Sequence, residues 1–256
     1  MQTVTELLAE KMGVRPLVVA ETGSHAWGTH VATSDHDYTV VGVDVRPTIT
    51  TYPRSADKIK FDYAPESTVN KLTCDAQFFS IEKFLRMAQN SNLVAYEIVC
   101  GGDNVIYASA VHPVLVLMKQ VVVHHFDSRE MYRSCIGSLY TLKRQYENTA
   151  DPVEAFKRKR QIFRYGFVAL QLQLGNVPVL NVHKYFHGPH DANTSMIQRL
   201  YEWAFHEGPT VSYELAMLVM TGAYEPTARP KEKQHEKFDV TNAVFAQIFE
   251  IMGNTK

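Results

Sequence analysis

The stretch that decides the fold of this 256-residue chain is GSHAWGT at residues 23–29, followed by SDHDYTVVGV at residues 34–43. The apolar run Leu17–Ala20 leads into the first segment, and a β-branched run follows the two aspartates of the second. Apolar runs of this length that are bounded by glycine and polar residues are typical of buried strands. We therefore predict a strand, a tight Gly-Ser turn with a short helical turn after it, and a second strand.

The two aspartates, Asp35 and Asp37, are the first candidates for chemistry. Side chains at positions i and i+2 of a strand lie on one face, so this spacing would bring both carboxylates together. Close carboxylates repel each other unless a cation lies between them, and Mg²⁺ prefers oxygen ligands. The pair predicts a divalent metal site, whereas an isolated Asp-x-Asp would be two solvated residues at a strand end.

The turn at Gly23 and Ser24 is the candidate phosphate site. Glycine lets a backbone approach a ligand closely. The N–H groups at the start of a helical turn suit an anion, and the Ser24 hydroxyl adds a donor. The two segments together predict a polyphosphate held beside its metal.

The order Gly-Ser, ten residues, Asp-x-Asp resembles the DNA polymerase β-like nucleotidyltransferase superfamily. The longer string G-S-x-A-x-G-T-x-x-x-x-S-D-x-D is similar to a bacterial and phage branch of predicted nucleotidyltransferases, some of which sit beside RNA-repair ligases. The resemblance is strong over residues 17–46, moderate over 75–100 and faint in the C-terminal half. It implies an α+β fold, in which a small mixed sheet flanked by helices is followed by an all-helical C-terminal half.

The domain boundary is expected where the apolar spacing becomes helical, near residue 108. We expect a catalytic domain at 1–107 and a helical domain at 108–256 that packs against it. Strands are predicted at 17–21, 37–45 and 73–79, a buried helix or strand at 93–100, a loop or peripheral hairpin at 47–72, a loop at 176–192, and helices at 3–12, 80–90, 112–124, 128–147, 153–174, 193–207, 210–222 and 234–252.

A two-metal site requires a third acid from a neighbouring strand. Asp62 and Asp75 are the candidates that the strand pattern leaves open. In the resembling family an acid stands at this offset before a helix that contains Lys-Phe-Leu, and here Lys83-Phe84-Leu85 follows Asp75 at the matching distance. The resemblance therefore favours Asp75 as a catalytic and metal-binding residue with Asp35 and Asp37, and Asp62 is the alternative.

Basic residues on the later helices are candidates for binding triphosphate. Lys157, Arg160 and Arg164 have the spacing of one helical stripe, and Lys143 lies on the preceding helix. The alternative is a solvated basic face. His25 occupies a position where relatives tend to carry arginine, and it is a further phosphate candidate. The spacing of His183, His187 and His190 also permits a zinc site, but the Gly188-Pro189 step disfavours one.

Composition limits the other possibilities. The net charge of −1 provides no overall field that would attract nucleic acid, so such binding would need a local patch. Three well-separated cysteines do not indicate a disulfide framework. With neither a signal peptide nor a membrane-spanning run, a cytoplasmic protein is expected.

The resemblance implies an enzyme that transfers a nucleoside monophosphate from an NTP such as ATP to a hydroxyl and releases pyrophosphate. Two Mg²⁺ ions are the expected cofactors, with Mn²⁺ as a substitute. An RNA end, especially of tRNA, is the first candidate for the acceptor. A protein side chain, as in AMPylating enzymes, is the second. A non-catalytic nucleotide-binding or antitoxin-like module is the competing class.

Overall fold

The computed structural model describes residues 3–32, 34–45, 57–63, 72–101, 104–108, 112–173, 176–188 and 194–205, together with 242–244, 246–248 and 250. The strands are β1 (Val14–Thr22), β2 (His36–Asp44), β3 (Asp57–Tyr63), β4 (Leu72–Ser80) and β5 (Val105–Ala108). The helices are α1 (Val4–Met12), α2 (Gly23–Ala26), α3 (Ile81–Gln89), α4 (Leu93–Cys100), α5 (His112–His124), α6 (Ser128–Glu147), α7 (Pro152–Gln173), α8 (Val182–His187) and α9 (Thr194–Phe205).

The five strands form one mixed sheet in the order β3-β4-β2-β1-β5. Strand β2 pairs antiparallel with β1 and parallel with β4, while β3 and β5 pair antiparallel with their neighbours. The sheet has helices around it, and the described residues from 112 to 205 contain helices but no strand. The predicted α+β class is therefore confirmed.

One face of the sheet is apolar and is covered by α1. Leu8 and Met12 of this helix join a buried cluster with Val40, Phe78 and other strand residues. The helix begins at a reciprocal capping box, in which the side chains of Thr3 and Glu6 accept hydrogen bonds from each other's backbone N–H groups. It ends at Gly13, whose φ of 63° is in the left-handed region that favours glycine.

The opposite face of the sheet carries the polar side chains that the next subsection describes. Helix α3 contacts β2 and β4, and both α4 and α5 contact β1. Ser80 starts α3 by accepting a hydrogen bond from the Lys83 N–H, and Asn92 starts α4 by accepting one from the Val94 N–H. Side-chain caps therefore fix where two of the helices near the polar face begin.

The structure decides between alternatives that the sequence left open at two places, and it contains two elements that the sequence did not predict. Residues 57–63, predicted as loop or peripheral hairpin, form β3 at the edge of the sheet; the flanking parts of 47–72 lie outside the described residues. Residues 93–100 are a helix, the short strand β5 was not predicted, and the predicted loop at 176–192 contains α8. The predicted helix at 210–222 lies outside the described residues, whereas 242–244 and 246–248 are helical as predicted.

The described residues group into two units. The first unit runs to Phe126 and also includes the described residues from 242 onward; the second unit begins at Asp127. In the second unit, α7 packs against α6 and α9. The rings of Phe163 and Phe167 stack at 5.6 Å, and Phe163 also meets Tyr201 edge-on. Among the described residues, no helix combines the length and the apolar character needed to cross a bilayer.

Candidate active site

A row of four side chains crosses the polar face of the sheet. The strand register places Thr22 opposite Asp37, Asp37 beside Asp75, and Asp75 opposite Lys60. Residues that are directly paired across strands lie on the same face, so these groups from β1, β2, β4 and β3 are neighbours. The Lys60 Nζ lies 3.3 Å from Asp75 Oδ2. Two carboxylates therefore stand side by side at the centre of the row.

A cavity of about 450 Å³ lies over this row. The parallel pair β2–β4 forms its floor, and Val94 and Glu97 of α4 form part of its wall. Its polar lining comprises Thr22, Asp37, Thr39, Lys58, Lys60, Asp75, Gln77 and Glu97. The space and its polar groups suit a charged small molecule such as a nucleotide.

The Gly-Ser turn fits against Asp37 so closely that a side chain at position 23 would displace the carboxylate. Gly23 has a φ of 68°, a conformation that other residues rarely adopt. A Cβ added to Gly23 would collide with Asp37 Oδ2 and lie 2.8 Å from Asp37 Cγ. The backbone of the turn therefore approaches the carboxylate at a distance that a side chain would prevent.

Glu97 holds the same turn from the other side. Its Oε1 accepts a hydrogen bond of 2.8 Å from the Gly23 N–H and another of 2.8 Å from Trp27 Nε1. Glu97 is only 8% exposed, and its backbone carbonyl accepts from Asn104 Nδ2. Sequence reasoning missed this residue. One sequence feature could have revealed it: Glu97 is the one charged residue in the apolar helix α4, and a buried carboxylate requires hydrogen-bond partners.

The remaining residues of the predicted phosphate site have other surroundings. Ser24 is buried in α2, and its carbonyl accepts a 2.8 Å hydrogen bond from the Thr29 N–H. Ser24 is not among the residues that line the cavity, whereas Gly23 is. Because the Gly23 N–H already donates to Glu97, this amide differs from the free donor that the sequence predicts.

His25 belongs to a stack of imidazole rings. Its ring lies 3.9 Å from that of His36 and 4.4 Å from that of His30. His36 Nδ1 lies 2.7 Å from Glu21 Oε1. Burial, with a smaller contribution from the charge of His36, lowers the pKa of His25, so its neutral form is favoured. The stack connects His25 of the Gly-Ser turn to His36, which lies between Asp35 and Asp37.

Glu21, His25 and His36 offer ligand atoms that lie within 4.8 Å of one another. The His25 and His36 planes are nearly parallel, with an angle of 15° between them. A nitrogen lone pair lies in the plane of its ring, so stacked rings direct their lone pairs side by side rather than toward one point. This arrangement suits an anchored histidine pair better than a transition-metal centre.

Asp35 and Asp62 take different positions from the central acids. Asp35 is exposed and precedes the first residue of β2, and it does not line the cavity. Asp62 pairs with Thr73, one strand beyond β4 from Asp37, and it too is absent from the cavity lining. Of the two candidates for the third acid, Asp75 is therefore the one beside Asp37.

The carboxylates at the centre of the row fit a hard divalent cation. Asp75 Oδ1 is buried and has no hydrogen-bond partner in the described part of the chain, although an unpaired buried carboxylate oxygen is costly. The other oxygen of this group contacts Lys60. Neighbouring carboxylate oxygens of this kind are the ligands that Mg²⁺ and Mn²⁺ prefer.

The predicted basic residues all lie on α6 and α7 of the second unit. Lys143 Nζ lies 3.8 Å from Glu147 Oε1, and Lys157 Nζ lies 3.9 Å from Glu154 Oε1. Arg164 lines a polar groove between the two helices.

Arg160 differs from these three because two of its guanidinium nitrogens donate no hydrogen bond to a described residue. The Nε and Nη1 atoms of Arg160 are buried without hydrogen-bond partners, and its guanidinium lies over the Phe156 ring. Burial also lowers the pKa of Arg160.

The three spaced histidines do not share one loop. His183 and His187 both lie on α8, whose side-chain cap is Asn181, and His190 lies outside the described residues. The spacing of i and i+4 places the two helical histidines on one face of α8.

A small mixed sheet with a Gly-Ser turn after its first strand and two adjacent strand carboxylates is typical of DNA polymerase β-like nucleotidyltransferases. The family model described as RlaP, the RNA repair pathway DNA polymerase beta family, matches residues 2–187. The chain therefore belongs to this family, and it is a DNA polymerase β-like nucleotidyltransferase of an RNA repair pathway.

The chain is similar to a solved structure of a nucleotidyltransferase-like protein from Exiguobacterium sibiricum 255-15, with 12% identity, a TM-score of 0.31, and coverage of 95% of this chain and 72% of the other. No curated protein matches the sequence.

Proposed function

We propose that this protein is a Mg²⁺-dependent enzyme that transfers a nucleoside monophosphate from an NTP, such as ATP, to the hydroxyl of an RNA end and releases pyrophosphate. The observation that carries the proposal is the direct pairing of Asp37 with Asp75 at the floor of the cavity. The membership in an RNA repair family supports RNA as the acceptor, with tRNA as the first candidate.

Asp37 and Asp75, together with Asp35 next to β2, would hold two Mg²⁺ ions, with Mn²⁺ as a substitute. When bound, the ions would lower the pKa of the attacking hydroxyl and offset the negative charge of the triphosphate. The buried Asp75 Oδ1, which has no hydrogen-bond partner, supports this assignment, because a cation would supply the partner that this oxygen lacks.

The Gly-Ser turn would position the triphosphate. Glu97 fixes the Gly23 amide, so we assign phosphate binding to the close backbone approach at Gly23, while phosphate donation by Ser24 and His25, which do not line the cavity, stays a prediction from the sequence. Because Gly23 touches Asp37, the phosphates and the carboxylates would share one small volume. Fixed groups of this kind reduce the entropy lost in reaching the reactive geometry.

The proposed reaction is a direct displacement at phosphorus. The acceptor oxygen forms a bond to the α-phosphorus, and the bond from that phosphorus to the bridging oxygen breaks. Pyrophosphate leaves with the electron pair, and the acceptor proton passes to the Asp75 carboxylate. A role of Lys143, Lys157, Arg160 and Arg164 in stabilising the leaving pyrophosphate stays a prediction from the sequence.

The test is incubation of the protein with each α-labelled NTP, Mg²⁺ and tRNA. We expect label in the RNA and its loss when EDTA is added or when Asp37 is replaced by Asn. Label in a protein instead would indicate an AMPylating-type enzyme. An NTP that binds without any transfer would indicate the non-catalytic nucleotide-binding or antitoxin-like alternative.

A further inference from the structure

Strand β3 places two lysines beside the catalytic carboxylates. Lys60 is opposite Asp75, and Lys58 is opposite Gln77, so both side chains share the cavity face of the sheet. Both residues line the cavity. Lys58 is exposed, and the side chain of Lys60 is 77% exposed although it contacts Asp75.

The order of the strands gives the site two distinct ends. Thr22 and Gly23 lie at the β1 end, the carboxylates lie on β2 and β4, and the lysines lie on β3. In the function proposed above, on which this inference rests, the triphosphate binds toward Gly23 and Asp75 takes the proton of the acceptor. The lysines therefore lie on the acceptor side of the reacting groups.

The ion pair with Asp75 does not prevent Lys60 from binding another anion. Exposed ion pairs contribute about 0 to 1 kcal/mol, so the ammonium can exchange Asp75 for another anion at little cost. Residues two apart on a strand are separated by about 7 Å. This separation is close to the spacing of successive phosphates in an extended single strand, and two cations at that spacing suit a polyanion.

We propose that Lys58 and Lys60 bind successive phosphodiester groups of a polynucleotide acceptor, next to its reacting hydroxyl. A serine or tyrosine hydroxyl of a protein brings no regularly spaced charges, so this surface favours nucleic acid over protein as the acceptor. The two lysines supply the local cations that a nucleic-acid site needs in a chain whose net charge is −1.

The test uses a fluorescent single-stranded 12-nucleotide RNA and a DNA of the same sequence, with binding measured by anisotropy without NTP. We expect Lys58→Gln and Lys60→Gln each to weaken binding about three- to tenfold. The slope of log affinity against log salt should fall by about 0.7 for each lost contact. Lys11→Gln, the same charge change on α1, should leave binding unchanged.

Lys60→Gln could weaken binding by disturbing Asp75. Lys58→Gln is then the decisive test of phosphate binding, because Lys58 is paired with Gln77 rather than with the acid. Wild-type affinity and salt slope in Lys58→Gln, or equal weakening by Lys11→Gln, would overturn the proposal, as would failure of the wild-type protein to bind either strand. Stronger binding of RNA than of DNA, or the reverse, identifies the polynucleotide. Loss of oligonucleotide binding in the lysine variants would uphold the inference even if no NTP were transferred, which separates it from the proposed function.

Discussion

Asp37 of β2 and Asp75 of β4 are direct neighbours across a parallel strand pair, although they are 38 positions apart in the sequence. Two carboxylates so placed repel each other, and Asp75 keeps one buried oxygen without a hydrogen bond. Lys60 offsets part of this repulsion at Asp75, and a bound divalent cation would offset more of it.

The first prediction concerns Asp37→Asn. We expect transfer to fall at least about 10³-fold, while the folded protein without metal is as stable as the wild type or more stable, because one repulsive charge is gone. Mg²⁺ at about 100 times its dissociation constant should stabilise the wild type by about 2.7 kcal/mol. Thermal unfolding with and without Mg²⁺ measures both effects, and an equal Mg²⁺ shift in the variant would contradict the site.

The second prediction concerns Gly23→Ala. The new Cβ would collide with the Asp37 carboxylate and would occupy a left-handed φ, so we expect a loss of about 1–3 kcal/mol and loss of transfer. Gly137→Ala is the matched control, because a Cβ there meets nothing within 4 Å on the exposed face of α6. That variant should gain up to about 1 kcal/mol in urea unfolding. Similar stabilities for the two variants would refute the close packing at Gly23.

The third prediction concerns Glu97. Its replacement by Ala leaves the Gly23 N–H and the Trp27 indole N–H without their acceptor, and we expect a loss of about 2–4 kcal/mol. Glu97→Gln keeps an acceptor oxygen and should lose less.

A double-mutant cycle with Trp27→Phe tests the Glu97 contact directly. Removing the indole donor as well should make the double variant more stable than the sum of the two single changes implies. Additive changes in the free energy of unfolding would show that the indole and the carboxylate do not interact.

The fourth prediction concerns the thiols. Burial raises the pKa of Cys135 to about 12, and burial with nearby carboxylates, Asp35 first among them, raises that of Cys74 to about 11. Burial raises the pKa of Cys100 too, but Cys100 is partly exposed whereas Cys74 and Cys135 are buried. Access by the reagent therefore distinguishes Cys100 from the other two thiols. Iodoacetamide at pH 8 should label the native protein at Cys100 alone and the unfolded protein at all three positions, as mass spectrometry would show.

The sequence predicts the elements whose periodicity is local. The apolar runs of β1, β2 and β4 and the helical spacing along α6 and α7 identify those elements to within a few residues. The edge strand β3 has only the weak alternation of Lys58-Ile-Lys-Phe, and β5 has four residues. Strand β5 is stabilised by pairing with the distant β1, and β3 by pairing with the next strand, β4, in a register that no local pattern contains.

The residues of the candidate site also divide into those that local sequence spacing predicts and those that it does not. The Gly-Ser turn and the aspartates are visible in the sequence because their spacing is short. The function of Glu97 depends on a hydrogen bond to Gly23 across 74 positions, and that of Lys60 depends on the register of β3 with β4. Contacts that form only on folding are invisible to periodicity, so these residues emerge from the structure alone. The catalytic, metal-binding and phosphate-binding roles of all the predicted site residues stay predictions.

The parallel pairing of β2 with β4 also has a consequence for the order of events during folding. A parallel pair cannot form from a simple hairpin, and contacts between distant positions are slow to form. Neither carboxylate alone makes the cavity floor, so a chain in which β4 has not yet joined β2 would lack the paired acids. The capacity to bind a divalent ion should therefore appear late in refolding, after the helical signal. Stopped-flow measurements that follow both signals would show this delay.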